Sequence, residues 1–592
     1  MAGATYRGHA AAPPRAPIRP AAFNDMMERA YPPRAMREPL LRIPPFPGAR
    51  VPALMVPART APERGEDIGA CMAALREARV GGTFWAARPA IDAARTIVAR
   101  PASAAQARAM IAAARAEGCR DRLLFWLPRR IFRLGSELRG FPVIHGNCDP
   151  WALIDQVERI WLDAGDPLAL LARIGGRQVR TWGDGVFAGL AEAGEDKLTA
   201  WVASFLVDGV CYRDPFSGQD IGLSAAIDLL EYWRRLIDAN RPIAAAAGFA
   251  RWKRATVAPL LWNGTDPVRF ISPGEPALSS LPTGSVLALW KSKVPDAFLS
   301  AVAEKEIAVR EVEDGFIRSS GLGANCVPPL SITVDRLGVH FDPARASELE
   351  TLLETATFPA ELLDRADRLR QMIRATGLSK YDVGGDAMDR PGGDRRHVLV
   401  PGQVEDDRSV LSGGGGVGGN LGLLRRAREM EPDAFILYKP HPDVEAGHRK
   451  GRIPEGEAER LADMVVRDAP ISALLDMVDA VHVMTSLAGF EALVRGKPVV
   501  AHGVPFYAGW GLTTDLGPVP PRRTRRRNVL ELIAAVLLLY PRYLDPATRL
   551  PCPPEILVER LVAGVRRQNG AVVAFRRLQG NFMRLIMRGG IA

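Results

Sequence analysis

The sequence predicts an α/β protein built from open, largely parallel sheets in two successive lobes, preceded by a reduced version of the same kind of module. Three observations predict it. Short apolar runs of strand length recur along the chain, with helix-like segments between most of them. Many of these runs are apolar throughout, as strands covered on both faces must be. A polar, glycine-rich stretch, KYDVGGDAMDRPGGDRR at 380–396, separates two such sets and reads as the link between lobes.

Taken in order, residues 1–50 are rich in Pro, Ala and Arg, a composition that favours irregular backbone. From about 75 to 190, alanine-rich helical patterns alternate with RLLFWL (122–127), FPVIH (141–145) and RIWL (159–162). Residues 220–262, centred on AAIDLLEYWRRLIDANR, read as helical. The strand pattern then resumes with VLALWK (286–291), IAVREVE (307–313), HVLVPG (397–402), AFILYKP (434–440), AVHVM (480–484) and PVVAHG (498–503), all read as buried parallel strands.

The chain also resembles itself. DQVERIWLDAGDPLALLARIGGRQVRTWGDGVFAG (155–189) follows the pattern of DMVDAVHVMTSLAGFEALVRGKPVVAHGVPFYAG (476–509): an acid, a short strand, a G-[RK]-x-V turn and a closing aromatic-Ala-Gly. The second copy carries Thr485, Ser486 and Glu491 where the first has Ala164, Gly165 and Leu170. A scaffold that persists without its polar groups is the mark of a degenerate copy.

Composition bounds the reading. At 592 residues the chain has length for several domains, and 47% hydrophobic with 24% charged residues is ordinary for a globular protein. The apolar run LIAAVLLLY (532–540) is too short to span a bilayer, and the N-terminus shows no apolar signal core. Cys71, Cys119, Cys148, Cys211, Cys326 and Cys552 are scattered without a C-x-x-C pair, which argues against a zinc site and fits a reducing cytoplasm. The net charge of +10 is concentrated in RRTRRR (522–527) and in the arginine-rich stretch from 565 on. Such runs form a solvated basic face or meet an anionic partner, and no nucleic-acid-binding signature accompanies them.

Four clusters could carry chemistry, each at or near the end of an expected strand, where open α/β sheets gather their ligands. The first is Glu313-Asp314-Gly315 with Arg318, Ser319 and Gly321-x-Gly323: a carboxylate pair for proton transfer or hydroxyl anchoring, beside glycines that permit close approach. The second is Gln403-Val404-Glu405-Asp406-Asp407-Arg408-Ser409, where three acids offer a nucleophile or base. The SGGGGVGGN that follows (412–420) lacks the Gly-Lys-Ser/Thr of a phosphate-binding loop and reads as a flexible turn. In the third, Lys439-Pro440-His441-Pro442, two prolines fix a histidine beside a lysine, a pairing suited to a phosphate. The fourth is Thr485-Ser486, with Ser486 as N-cap of a helix whose free N–H groups could seat an anion and Glu491 further along it, in reach of a ribose. Each cluster alone reads as a turn or a cap. Their order along the chain is far more specific.

That order, in EDGFIRSSGLG, PLSITVD, GQVEDDRS, KPHPDVEAGHRKGRI, TSLAGFEALVRGKPVVAHGVPFYAGWGLTTD and YPRYLDP, resembles the capsule-polysaccharide β-Kdo transferases of Gram-negative bacteria, which act on the acidic eight-carbon sugar Kdo. YRDPFSGQDIG (212–222) and GFARWKR (248–254) resemble the junction between two tandem modules of that family. The resemblance implies a GT-B-like pair of Rossmann-type lobes in the second half, preceded by a degenerate, truncated glycosyltransferase-like module. It implies an enzyme with no cofactor or metal and CMP-Kdo as donor substrate. Thr485, Ser486 and His441 would bind the CMP phosphate, Glu491 the ribose, and Lys439, Arg318 and Gln403 would complete the donor site. Glu313 and Asp314 would position and deprotonate the acceptor. Counting from the family's glutamine, the nucleophile of a retaining double displacement would be Asp407, with Asp406 the alternative. The acceptor would be a phosphatidylglycerol-type glycolipid or oligo-Kdo at the inner-membrane surface, met from the cytoplasm together with capsule assembly proteins, with no nucleic acid involved. The expected domains are an arm (1–70), the degenerate module (71–205), a helical junction (206–262), an acceptor-side lobe (263–385), a CMP-sugar lobe (386–555) and a basic C-terminal segment (556–592). Two rivals remain: transfer of another CMP-linked acidic sugar, and a non-catalytic scaffold for capsule assembly or export.

Overall fold

The computed structural model describes residues 39–58, 66–127, 137–318, 327–379, 389–447, 449–454 and 456–564. Two units divide the chain. One runs to Arg241 and includes Trp262–Pro267; the other comprises Pro242–Leu261 and the residues from Val268 on.

In the first unit, β1 (Ile97–Arg100), β2 (Leu123–Leu127), β3 (Val143–His145), β4 (Arg159–Asp163) and β5 (Gln178–Trp182) form one parallel sheet in the order β3-β2-β1-β4-β5. All five residues of β2 are buried, as the run LLFWL requires. Helix α1 (Leu168–Ile174) joins β4 to β5, and the long α2 (Leu223–Asn240) buries Leu230, Trp233 and Ile237 on one side. The arm expected at 1–70 is ordered in its later part. Leu40, Leu41, Ile43 and Phe46 are buried, and Met55–Pro57 pairs antiparallel with Val210–Arg213. Residues 1–38 lie outside the described residues.

The second unit holds two sheets. The first takes β6 (Ile243–Ala247), β7 (Phe270–Ile271), β8 (Val286–Leu289), β9 (Ala308–Asp314) and β10 (Ser331–Asp335) in the order β7-β6-β8-β9-β10. Here α3 (Arg251–Leu261) follows β6. Beyond α4 (Glu348–Thr355) and α5 (Ala360–Thr376) comes a six-stranded parallel sheet. Its strands are β11 (His397–Pro401), β12 (Phe435–Lys439), β13 (Met464–Val465), β14 (Ala480–Val483), β15 (Val499–Ala501) and β16 (Thr514–Asp515), ordered β13-β12-β11-β14-β15-β16. The chain then returns to the first of these sheets, adding β17 (Arg542–Leu544) and β18 (Pro551–Cys552) beside β10. This is the two-lobed, GT-B-like arrangement of Rossmann-type sheets.

Two boundaries differ from expectation. The first sheet of the second unit begins at Ile243, inside the segment read as helical junction to 262. IAAAA has helix-forming residues and no β-branched side chain after the isoleucine, so it reads as more of α2. In the fold its small side chains alternate between the two faces, Ala246 in one core and Ala245 and Ala247 in the other. The second departure is that 542–552, expected in the later lobe, belongs to the first sheet, because its backbone pairs with Ser331 and Ile332. The expected link at 380–396 lies outside the described residues over 380–388.

RRTRRR is in part an internal clamp. Arg523 is buried and, with Arg522, pairs with the buried Glu350 of α4; Thr524 bonds Glu354, and Arg527 bonds the Leu353 and Ala356 carbonyls. Only Arg525 and Arg526 are exposed guanidinium groups of that run. No described helix is long and apolar enough to cross a membrane.

The sheet of the first unit repeats the strand order of the six-stranded sheet, with β4-α1-β5 matching the later β14-helix-β15. Ala164 and Gly165 stand where Thr485 and Ser486 do. The carboxylates of Asp163 and Asp166 occupy this turn, bonded to Gly165 N (2.9 Å) and Arg100 (2.9 Å). A phosphate would meet negative charge there.

Candidate active site

Three of the four sequence clusters meet at the carboxyl ends of β11, β12 and β14. After β11 the chain turns at Gly402, whose N–H donates to the Lys439 carbonyl (2.8 Å) at the end of β12. No side chain fits here: a Cβ would lie 2.8 Å from the Tyr438 hydroxyl and 3.3 Å from the His441 nitrogen. This close approach sets the glutamine cluster against the His-Pro cluster.

Gln403, 7% exposed, then reaches across to β14. Its Oε1 accepts from the Thr485 backbone N–H and its Nε2 donates to Thr485 Oγ1, both at 3.0 Å. The glutamine thus braces the turn that launches the helix Leu487–Val494, α9. Behind Gln403 sits Asn420, 1% exposed. Its Oδ1 accepts from Gln403 N, and its Nδ2 donates to the carbonyls of Gln403 and Gly451, all at 2.8 Å. Four residues of three loops are fixed by these bonds.

The three acids separate by neighbourhood. Glu405 accepts from Asn420 N (2.7 Å) and so caps the start of α7 (Gly419–Met430), the helix that follows α6 (Arg408–Gly413). Asp406 pairs with Arg449 at 3.1 Å, and this guanidinium holds its carboxyl below the usual range against the opposing effect of desolvation. Asp407 is the exposed N-cap of α6, its Oδ1 accepting from Ser409 N (3.0 Å) and Ser409 Oγ (2.7 Å). Among the described residues it has no ion-pair partner. SGGGGVGGN ends α6, turns at Gly415 and Gly416 and starts α7. Its first glycines end α6 against Thr485 and Val504, and Gly419 sits at φ +75° with the Glu405 carboxylate where a Cβ would be.

His441 caps the short α8 (Pro442–Glu445), its Nδ1 accepting from Asp443 N (3.2 Å). That bond leaves Nε2 as the protonated nitrogen of the neutral ring. Lys439 points elsewhere: its Nζ donates to the Arg467 carbonyl (3.2 Å), and desolvation lowers its pKa, with Asp468 acting against that shift. Ser486 is the N-cap of α9, accepting from Ala488 N (3.2 Å). Its carbonyl accepts from the Tyr507 hydroxyl (2.5 Å), which burial keeps protonated far above its ordinary pKa. Glu491 lies half-buried on α9.

The acidic-Gly cluster closes β9. Asp314 accepts from Arg318 Nε (2.8 Å) and Lys253 Nζ (3.5 Å). Arg318, 1% exposed, also donates to the Val327 carbonyl (3.0 Å), so it is an internal tether and not a cation offered to a sugar carboxylate. Gly315 is dictated by Ser331, whose Oγ would be 2.2 Å from a Cβ. The next residue, Phe316, packs on Phe506 (5.0 Å) and Phe490 of α9 (6.3 Å), and on His340 and Tyr540. Through this aromatic cluster the acidic-Gly turn and the Thr-Ser helix of the other lobe touch. Ser319, Gly321 and Gly323 lie outside the described residues.

Sequence reasoning missed Asn420, Tyr507 and Lys253. The first sat in what reads as a flexible turn, the second in a run of apolar residues. Lys253, in GFARWKR, was read as junction because its partner lies 61 positions away. Among the described residues no cluster of His, Cys, Asp or Glu could hold a metal ion.

The two-lobed α/β fold thus gathers a braced helix N-terminus, a histidine cap and an exposed carboxylate at the strand ends, where open α/β sheets collect their ligands. Residues 287–543 match the family described as "Capsule polysaccharide biosynthesis protein". It is 40% identical over 352 residues to the Neisseria meningitidis "Capsule polysaccharide modification protein LipA", a stretch covering 59% of this chain and 50% of that protein. It is 45% identical over 265 residues to the Rhizobium meliloti "Lipopolysaccharide-processing protein LpsZ", 44% of this chain and 60% of that one. The chain thus spans about half to three-fifths of the length of these relatives. Among solved structures it is 33% identical to "Thermosulfurimonas dismutans KpsC, beta Kdo 2,4 transferase", covering 54% of this chain and 98% of that chain with a TM-score of 0.47.

Proposed function

We propose that the second unit transfers β-Kdo from CMP-Kdo to a lipid-linked or glycan acceptor in capsular polysaccharide assembly, with retention of configuration. The observation that carries this reading is the Gln403–Thr485 brace. It joins the loop bearing Asp407 to the start of α9, so that a carboxylate nucleophile and a set of phosphate-binding donors share one site. The printed title of the Kdo transferase that shares a third of its residues with this chain supports the choice of sugar.

In this mechanism the Thr485 and Ser486 groups and the His441 ring hold the CMP phosphate, spreading its charge as it leaves. The Asp407 carboxylate attacks the anomeric C2 of Kdo as the C2–O bond to phosphate breaks, releasing CMP. The acceptor hydroxyl then attacks C2, Glu313 takes its proton, and the C2–Asp407 bond breaks. Two inversions give net retention. Of the neighbouring acids, Asp406 is engaged by Arg449 and the half-buried Glu405 by Asn420 N, whereas Asp407, although it caps α6, is exposed and has no ion-pair partner among the described residues, which favours it as the nucleophile. The first unit, with carboxylates at the matching turn, serves docking or stability and not a second transfer.

Incubation with CMP-Kdo and a synthetic phosphatidylglycerol-type acceptor tests the reading by product mass and linkage. Asp407→Ala is expected to lose at least about 1,000-fold in rate, and Asp406→Ala to stay within about tenfold. Transfer by Asp407→Ala at the normal rate would refute the assignment. A product formed only from another CMP-linked acidic sugar would change the donor, and no product from any would favour a scaffold.

A further inference from the structure

A carboxylate that attacks C2 of a 2-keto-acid sugar meets an electrostatic problem. C2 carries the sugar's own C1 carboxylate and the oxygen of the leaving phosphate, so three anionic groups converge on one carbon. In the reading above the phosphate has its donors at Thr485, Ser486 and His441. The C1 carboxylate needs a cation beside the nucleophile, and the two expected from the sequence are engaged elsewhere. Arg318 is an internal tether, and Lys439 is turned to the Arg467 carbonyl.

The loop after His441 offers another. Its segment 449–451 is laid along 403–406: the Glu405 N–H donates to the Lys450 carbonyl (3.0 Å), and Asn420 Nδ2 donates to the Gly451 carbonyl (2.8 Å). Glycine is required at 451, where φ is +126° and a Cβ would lie 2.7 Å from the Gln403 carbonyl. This brings Arg449 to the loop that carries Asp407, and its Nε donates to both oxygens of Asp406, at 3.1 and 3.3 Å. A guanidinium has five N–H donors in one plane, and Nε supplies only one of them. Among the described residues neither Nη of Arg449 has a hydrogen-bond partner. The end-on fork of the two Nη groups is the half of a guanidinium that takes a carboxylate by two parallel bonds. The pair is exposed, 39% for Arg449 and 42% for Asp406, so it adds little to stability. Its effect is to aim the arginine.

Two other exposed cations stand close by in the sequence, Arg408 and Lys450. Among the described residues neither side chain is held by a hydrogen bond, so each would give up its rotamer freedom on meeting a ligand. Lys450 also presents a point charge without the planar fork. Arg449 has already surrendered that freedom to Asp406.

We propose that Arg449, aimed by Asp406, is the subsite for the carboxylate of the donor sugar, and so the residue that selects a CMP-linked acidic sugar over a neutral one. This rests on the transferase reading of the site. Asp406 is then a positioning residue, a role apart from that of the neighbouring nucleophile.

Phenylglyoxal labelling of the full chain, read at the Arg449 peptide by mass spectrometry, tests this without turnover. CMP-Kdo is expected to slow the labelling of Arg449 about fivefold or more, and CMP, which lacks the carboxylate, to leave it within about twofold. Equal slowing by CMP would place the phosphate there and overturn the proposal. Kinetics give a second test. Arg449→Met is expected to raise the donor KM roughly 10- to 100-fold, while inhibition by CMP stays within about twofold. Arg449→Lys restores the charge without the fork and recovers only part of the loss. Asp406→Ala keeps the cation but releases its aim, so the donor KM rises roughly three- to tenfold with kcat near that of the wild type. An Arg449→Met enzyme with a normal donor KM, or with CMP weakened as much as the donor, refutes the subsite. If the wild type makes no product from CMP-Kdo, the donor reading fails, and labelling decides the subsite separately. Protection by CMP-Kdo or by CMP-N-acetylneuraminate, a second CMP-linked acidic sugar, supports the carboxylate subsite, and protection by neither overturns it.

Discussion

Asn420 makes the sharpest prediction, because its cost can be worked from three hydrogen bonds. The side chain is 1% exposed and serves Gln403 N, Gln403 O and Gly451 O, all at 2.8 Å. Asn420→Ala strands one buried N–H and two buried carbonyls. Each such group costs about 1–3 kcal/mol when left bare, and water entering the vacated space offsets part of this, for a total of roughly 3–5 kcal/mol. Asn420→Asp keeps the volume but replaces a double donor by an oxygen facing two carbonyl oxygens. It should therefore be no better than alanine, although it is isosteric. Urea unfolding followed by circular dichroism measures both. The transfer assay reads the second effect, since Gln403 loses the partner that aims it at Thr485. If both variants stay within about 1 kcal/mol of the wild type, Asn420 is not the keystone of this loop cluster and the brace has another source.

The buried histidine pair gives a pH dependence. His482 (0% exposed) and His502 (1%) share one hydrogen bond of 3.1 Å, and burial depresses both from 6.5 to about 4, helped by Arg396 for His482 and by His482 and Arg426 for His502. Between those values the unfolded chain takes up protons that the folded chain refuses. Their contribution is thus complete above pH 6.5 and is lost as pH falls towards 4, by roughly 3 kcal/mol for the first imidazole. A His482→Gln/His502→Gln chain should show a flatter stability profile over that range, and an unchanged slope in urea midpoints would count against the pair as its cause. Gly315→Ala should cost about 1–3 kcal/mol because its Cβ would sit 2.2 Å from Ser331 Oγ. Adding Ser331→Ala should recover only part of this, the 2.8 Å contact with the Ser331 Cβ remaining; full thermal stability of the single variant would refute the close approach.

The strands were legible in the sequence because each of HVLVP, FILYK and AVHV is short, apolar and closed by Pro, Gly or a polar residue. The four clusters were legible because strand ends concentrate polar residues in an otherwise apolar pattern. IAAAA was not, since its strand state comes from the two cores that pack its faces and not from its own propensity. RRTRRR looked like a surface charge run, and only the fold brings Glu350 and Glu354 to meet it.

Sequence by itself determined which residues form the lobes and which side chains stand at their polar edges, because local pattern and spacing fix both. Its order among the acids, Asp407 before Asp406, came only from counting along a resembling motif. Glu405, Asp406 and Asp407 are chemically alike, and what separates them is the Asn420 N–H, an arginine 43 positions on and an exposed helix cap. Lys253 and Asp314 are likewise 61 positions apart and meet only when β6 and β9 lie in one sheet. Tertiary structure decided those surroundings, since charge and burial depend on distance in space, to which distance along the chain is no guide.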